Sequence, residues 1–269
     1  MTRANDRQTI QSQTGWVGPT WIVGASTGIG AALAQAIGPL ADLLILSARN
    51  QSALAQVAQK IPTETQILPF DITDSQATAA ACAQLKDTEI SMVILNAGTC
   101  EYMDSAHLDL ALLNRVMQTN FFAMVSLIDQ ALPLLQTPIK SGATRAKLVI
   151  MSSSVTYQAL PRAHAYGASK AALRYFAECL KIDLQREGID VHLISPGFVK
   201  TPLTDKNDFD MPFLISAEAA AQAIITGLRA NKFDISFPKP FIWILKSVAK
   251  LPDKLAFKLL AHLSRHQKP

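Results

Sequence analysis

The feature that most constrains this chain is a set of seven short apolar runs alternating with helix-forming stretches. The runs are Thr20–Val23, Leu43–Ser47, Gln66–Phe70, Ser91–Leu95, Lys147–Ser152, Asp190–Ile194 and Asp234–Phe237. Most are unbroken apolar segments without polar alternation, the pattern of strands covered on both faces. Between them lie stretches rich in Ala, Leu and Gln: Gly30–Gly38, Ser52–Lys60, Ser75–Lys86, Leu108–Leu135, Ala165–Arg186 and Ala217–Arg229. Asp74 and Ser216 stand where helix N-caps are wanted, and Gly188 where a helix should stop. This alternation predicts βαβ units, hence an α/β fold with a parallel sheet of about seven strands and helices on both faces.

Composition supports a packed core. Of 269 residues, 49% are hydrophobic and 17% charged, which disfavours disorder and coiled coil. No Pro/Gly linker divides the chain, so the expected organisation is a polar, mobile lead-in over 1–18, a single domain over 19–237 and an extension over 238–269. The lead-in lacks the apolar run of a secretory signal, and no apolar stretch approaches the length of a transmembrane helix. Cys82, Cys100 and Cys179 form no CxxC pair, which suits a reducing, cytoplasmic setting. His107, His164, His192, His262 and His266 show no metal-binding spacing, so no metal is expected. The net charge of +4 is uneven: residues 238–269 carry seven Lys or Arg against Asp253 alone. The body is therefore slightly acidic, and nucleic-acid binding by it is not expected.

The first strand runs into Gly24-Ala25-Ser26-Thr27-Gly28-Ile29-Gly30, and a helix begins inside that segment. Glycines there permit a tight turn close to a pyrophosphate, and the helix N-terminus offers unpaired N–H groups. Ser26 and Thr27 add hydroxyls. The second strand ends Ser47-Ala48-Arg49-Asn50 with no acid. A carboxylate at that place suits a free ribose 2′-OH, whereas a guanidinium suits a 2′-phosphate, so Arg49 points to NADP(H) over NAD(H). A plain solvated Arg49 is the alternative.

Tyr166-Gly-Ala-Ser-Lys170 opens a strong helical pattern, with the phenol and the ammonium one turn apart on one face. An adjacent ammonium would draw the phenol pKa down toward the working range. Ser153 precedes Tyr166 by thirteen residues and offers a hydroxyl for a reacting oxygen. From spacing alone, an ordinary amphipathic pair is the better explanation of Tyr166 and Lys170, since such pairs are common.

Taken together, the motifs resemble the short-chain dehydrogenase/reductase family in its single-domain branch of roughly 250 residues. The matching elements, in order, are Gly24-x-x-x-Gly28-x-Gly30, Asp71, Asn96-Ala97-Gly98, Asn120, Ser153, Tyr166-x-x-x-Lys170 and Pro196-Gly197-x-x-x-Thr201. The resemblance implies a Rossmann-type doubly wound sheet and NAD(P)-dependent oxidoreduction. It implies that Tyr166 protonates the carbonyl oxygen, Lys170 lowers its pKa and holds the nicotinamide ribose, Ser153 orients the substrate and Asn120 holds a water near Lys170. It places Asp71 and Ile72 at adenine and Asn50 and Asn96 to Gly98 along the adenosine side. It also places Gly24, Ile29 and the rest of the glycine turn at the diphosphate, and Pro196, Gly197, Val199 and Thr201 at the nicotinamide. Val23 and Leu95 depart from the family's usual Thr and Asn, which implies altered bracing. A catalytically silent NADP-binding sensor or scaffold is the competing reading.

In this family the segment over about 202–215 forms a lid. Here Leu203, Phe209, Met211, Phe213 and Leu214 give it an apolar side, joined by Tyr157 and Leu160. A pocket for an apolar aldehyde, ketone or secondary alcohol is expected. Cys100 is expected to be a packed thiol rather than a pocket residue. In the extension, lysines recur every four residues from Lys246 to Lys258 beside Trp243 and a run of Leu and Phe. Such a segment suits either peripheral contact with an anionic membrane or packing against the body or a partner subunit, in a homodimer or homotetramer.

Overall fold

The structure, a computed structural model, describes residues 18–143 and 145–261. All of the lead-in except Gly18 lies outside the described residues, as do His262, Leu263, Arg265, His266 and Lys268. Seven strands form one sheet: β1 (Thr20–Val23), β2 (Leu44–Ser47), β3 (Thr65–Ile67), β4 (Met92–Leu95), β5 (Ala146–Met151), β6 (Ile189–Pro196) and β7 (Asp234–Phe237). Their spatial order is β3-β2-β1-β4-β5-β6-β7, and every neighbouring pair is parallel. The chain builds outward from β1 to one edge, then from β4 to the other, as a doubly wound sheet does. The expected Rossmann-type architecture is present.

The helices are α1 (Gly28–Ile37), α2 (Gln51–Ala58), α3 (Ser75–Gln84), α4 (Leu110–Met117), α5 (Ala123–Lys140), α6 (His164–Asp183) and α7 (Ala217–Arg229). Strand pleating sorts the core into two layers. Trp21, Val23, Ile45, Val93, Leu95 and Ile150 pack with α3, α5 and α6. Ile22, Leu44, Leu46, Met92, Ile94 and Val149 pack with α1, α2 and α7. Both faces are covered, which is why the strand sequences do not alternate. Val23 and Leu95, the two family departures, are buried on the same layer.

The two N-cap expectations hold, whereas the helix before Gly188 already ends at Asp183 with Leu184 as its C-cap. Asp74 Oδ1 accepts from Gln76 N (2.9 Å) and Ala77 N (3.0 Å), and Ser216 Oγ from Ala219 N (3.1 Å). Gly188 turns the chain into β6 at φ +76°. Most boundaries shift by one to three residues from the sequence pattern, and three changes stand out. β3 stops at Ile67, although Leu68 N and Phe70 N still donate to Leu46 O (2.9 Å) and Ala48 O (3.2 Å) beyond it. The stretch expected as one helix from Leu108 is broken by a π turn at Gln118–Phe122. Beyond it α5 runs past Leu135 to Lys140 through Pro133 and Pro138, because Leu134, Leu135 and Pro138 remain buried.

Two further helices follow the sheet, α8 (Lys239–Val248) and α9 (Asp253–Ala261). α8 buries Phe241, Ile242 and Leu245, while Val248, Ala256 and Leu260 close on Leu160. No helix among the described residues is long and apolar enough to cross a membrane.

His192 on β6 is fully buried, with Nδ1 2.7 Å from the Lys232 carbonyl oxygen and Nε2 without a hydrogen-bond partner among the described residues. Burial holds its pKa down to about 4. The unfolded chain therefore takes up this proton first as pH falls from about 6.5. The stabilisation is complete above that pH and disappears progressively down to about 4. Replacing His192 by Asn should remove about 3 kcal/mol of acid sensitivity over this window, measured by urea unfolding at pH 7 and pH 4.5. An unchanged pH profile would reject this assignment.

Candidate active site

The crevice starts where β1 and β4 end side by side. Gly24 has φ +88°, and a Cβ there would sit 2.5 Å from the Ala97 nitrogen. A Cβ on Gly30 would overlap the Gly24 carbonyl and lie 2.6 Å from Asn96 Nδ2. That amide donates to the Gly24 oxygen at 2.8 Å, tying the end of β4 to the turn after β1. Bare backbone is thus exposed in front of α1. Thr27, the N-cap of α1, makes no side-chain cap bond, and its neighbours Ser26, Gly28 and Ile29 are part-exposed. The first amides and the dipole of α1 face this opening, as an anion requires.

At the end of β2, Arg49 is 80% exposed and its guanidinium lies 3.9 Å from Asp71. Asp71 Oδ1 also accepts from Thr73 N (2.9 Å) and Thr73 Oγ1 (2.8 Å). Burial pushes the Asp71 pKa up, but the Thr73 bonds and Arg49 outweigh it and the net shift is downward. Ile72 is buried beside it. Asn50 Oδ1 caps α2 through Ala53 N at 3.0 Å.

The second half of the site gathers around α6. Lys170 is 3% exposed and its Nζ donates to the Met151 carbonyl at the end of β5 (2.8 Å). One turn earlier stands Tyr166, part-exposed, with the Ser153 hydroxyl near enough to hold its pKa down slightly against burial. Asn120 lies in the π turn, a device common at functional sites. Its Oδ1 accepts from Thr99 N (2.8 Å), and its Nδ2 donates to Thr99 O (2.8 Å) and Ser169 Oγ (3.1 Å). A Cβ on Gly98 would sit 3.2 Å from Asn120 Oδ1 and 3.4 Å from Lys170 Nζ, so Gly98 packs between them. The four residues expected to be catalytic therefore converge.

Their electrostatics differ from the expectation that Lys170 draws the phenol down. Burial pushes the Tyr166 pKa up, the Cys100 thiol adds to the rise, and only the Ser153 hydroxyl opposes them. Lys170 is itself lowered to about 8 by burial. The phenol is therefore neutral at pH 7 and available as a proton donor. Cys100, expected to pack inertly, is half-buried within electrostatic reach of both groups and close to Tyr102. Burial raises its thiol pKa, so it is a weak nucleophile.

Across the crevice, Pro196 ends β6 and Gly197 leaves room for Phe241, whose ring carbon would lie 2.7 Å from a Cβ there. Buried Val199 bridges Ile215 at the far end of the lid, and the Thr201 methyl rests against Gly28. The lid is fastened by rings. Phe209 meets Tyr102 (5.4 Å) and Phe198 (5.9 Å), while Phe241 meets Phe198 (5.3 Å) and Phe213 (6.4 Å). Arg162 pairs with Asp208 at 3.4 Å and lies over the Tyr102 ring. Tyr157 donates to Asp234 (2.6 Å), which also holds Ser195 (2.8 Å) and Arg174 (3.1 Å), and Lys246 of α8 lies 4.3 Å over the Tyr157 ring. Tyr102, Phe198 and Phe241 carry no spacing signal, because separate segments deliver them to one wall.

A family model described as short chain dehydrogenase matches residues 20–211. The chain belongs to the short-chain dehydrogenase family. This short-chain dehydrogenase is thereby an oxidoreductase. It is 29% identical over 240 residues to an uncharacterized oxidoreductase of Myxococcus xanthus, covering 87% of this chain and 92% of the relative. A short-chain dehydrogenase from Burkholderia cenocepacia J2315 in complex with NADP superposes with TM-score 0.78 at 22% identity, covering 94% of this chain and 98% of that one. One from Sphingobium yanoikuyae in complex with NADPH gives 0.73 at 22% identity, over 93% and 98% of the two chains.

In this dehydrogenase, Asn120 carries three hydrogen bonds at full burial. Asn120→Ala strands the Thr99 backbone groups and should cost about 2–4 kcal/mol. Urea denaturation reads this directly. A loss under about 0.5 kcal/mol would refute the bracing role.

Proposed function

We propose that this enzyme is an NADPH-dependent reductase of apolar aldehydes or ketones, running in reverse on secondary alcohols. The observation that carries the reading is a neutral Tyr166 phenol, near Ser153 and one helical turn from buried Lys170, beside the aromatic wall of Tyr102 and Phe209.

A dinucleotide fits the residues present. Without side chains at Gly24 and Gly30 the turn packs closely on Asn96 and Ala97 ahead of α1, whose first amides suit a diphosphate. Asp71, Ile72 and Asn96 to Gly98 would border the adenosine, with Pro196 to Thr201 beside the nicotinamide. When bound, that ring would supply the hydride. Arg49, largely exposed and only 3.9 Å from one carboxylate, can reach a ribose 2′-phosphate with a bidentate fork. The Burkholderia and Sphingobium relatives hold NADP and NADPH, in keeping with this preference.

Tyr166 gives its phenolic proton to the substrate oxygen as negative charge grows there, and Ser153 holds that oxygen. Lys170, with a pKa of about 8, is mostly protonated at pH 7 and its charge favours the phenolate left behind. Asn120 fixes the π turn beside them. The apolar lid keeps water from the growing charge. The reading extends to a cytoplasmic setting with a homo-oligomer. A groove lined by Phe122, Leu132, Phe176 and Leu180, beside exposed Tyr175 and Ile182, suits a second copy. It extends also to peripheral membrane contact through residues 238–269.

Tyr166→Phe should lower turnover by about 10²–10⁴-fold while leaving NADPH binding intact. Following NADPH absorbance over a carbonyl panel, with cofactor binding measured in parallel, separates this from the silent-sensor reading. Full retained activity would reject the catalytic assignment. Arg49→Asp should shift the NADPH:NADH ratio of kcat/KM toward NADH by about 10–100-fold. An unmoved ratio would remove Arg49 from cofactor choice.

A further inference from the structure

We infer that the end of the lid and the helices α8 and α9 form one docking surface for an anionic lipid bilayer, from which an apolar carbonyl substrate passes to Tyr166. The delivery half rests on the reductase reading; the docking half stands on the surface alone.

Both tail helices are half-packed. Their inner faces bury Phe241, Ile242, Leu245, Ala256 and Leu260. Yet Trp243 is 67% exposed and Phe257 61% exposed, and Ile244, Leu251, Leu255 and Leu259 stand out with them. Lone exposed apolar residues are unremarkable, but large ones concentrated on adjoining elements mark an interaction surface. These segments are joined to the substrate side. The Phe241 ring meets Phe213 of the lid, and α9 closes on Leu160, between Ser153 and Tyr166 in the chain. Phe213 keeps a left-handed backbone at φ +59°, a costly conformation for an aromatic residue, and is 46% exposed beside Leu214.

Charge selects the occupant. Exposed Lys250, Lys254 and Lys258 intersperse with the apolar residues, against Asp253 alone in α8 and α9, while the Lys246 ammonium lies over the Tyr157 ring. Aliphatic stems with a Trp and cationic heads match the boundary of an anionic bilayer. An isologous contact with a second copy would bring the lysine rows of the two subunits together, and like charges disfavour that. Asp205 and Asp210 are exposed earlier in the lid and would be repelled by such a membrane, so the surface is approached through the Phe213–Leu214 end.

The test is flotation of the full chain with phosphatidylcholine vesicles, with and without phosphatidylserine. Binding should require phosphatidylserine and weaken with salt. Lys250→Gln/Lys254→Gln/Lys258→Gln should weaken it about 100-fold, since each lysine near the surface contributes about fivefold. Trp243→Ser/Phe257→Ser should also release the protein with its thermal melting unchanged, and acyl-chain bromine should quench emission from the parent chain but not from Trp243→Phe. With NADPH, the vesicles should raise kcat/KM for dodecanal and not for propanal. Absence of flotation, equal binding to pure phosphatidylcholine, or full binding by either multiple variant would overturn the docking surface. A dimer that falls to monomer on Trp243→Ser/Phe257→Ser, with no lipid binding by the parent, would assign the face to a second copy and overturn it as well. Propanal turnover without flotation leaves the reductase reading intact and removes the surface. Flotation without turnover of either aldehyde keeps the surface and removes the reductase reading together with delivery.

Discussion

β1 and β4 are parallel neighbours whose chains leave toward opposite faces of the sheet, α1 to one layer and the α4–α5 segment to the other. Nothing local covers the gap between the diverging connections. The gap persists only while its floor stays free of side chains, and Gly24, Gly30 and Asn96 provide that. The Asn96 amide holds the Gly24 carbonyl, and Gly30 lets the helix start against it. A methyl group at Gly24 would push the turn after β1 away from the backbone of Asn96 and Ala97, and one at Gly30 would push α1 away from the Gly24 carbonyl.

The polar cluster obeys a second rule, that buried polar groups must be paired. Lys170 reaches the Met151 carbonyl, and Asn120 closes three hydrogen bonds around Thr99 and Ser169. The π turn makes this closure feasible, because the widened backbone presents Asn120 to Thr99 and α6 together. Burial that would penalise a charged phenol favours a neutral one. The low dielectric around Tyr166 thus sets the protonation state that the proposed reduction requires.

Much of this was legible in the residues. Doubly covered strands leave unbroken apolar runs, so all seven strands appear in order, and local caps such as Asp74 and Ser216 depend only on near neighbours. Tyr166 and Lys170 share a face by spacing, and the resemblance supplied Ser153 and Asn120. What stayed hidden depends on distant packing. The π turn gives no sequence signal of its own. Pro133 and Pro138 argue locally for a helix end that burial overrides. The aromatic wall draws on Tyr102, Phe198, Phe209 and Phe241, and only the folded chain brings them together. The upward Tyr166 shift was missed for the same reason: helical spacing places Lys170 nearby, but not the Met151 oxygen toward which its ammonium turns.

Tyr157 follows Ser153 by four positions, yet it shares a carboxylate with Arg174 and Ser195 and lies beneath a lysine of α8. Phe241 from the same helix backs the glycine after Pro196. The carboxyl-terminal helices are thus mechanically continuous with two walls of the reaction chamber while contributing no reacting atom. Exchanging this appendage would reshape those walls while leaving the proposed proton donor and its neighbours in place.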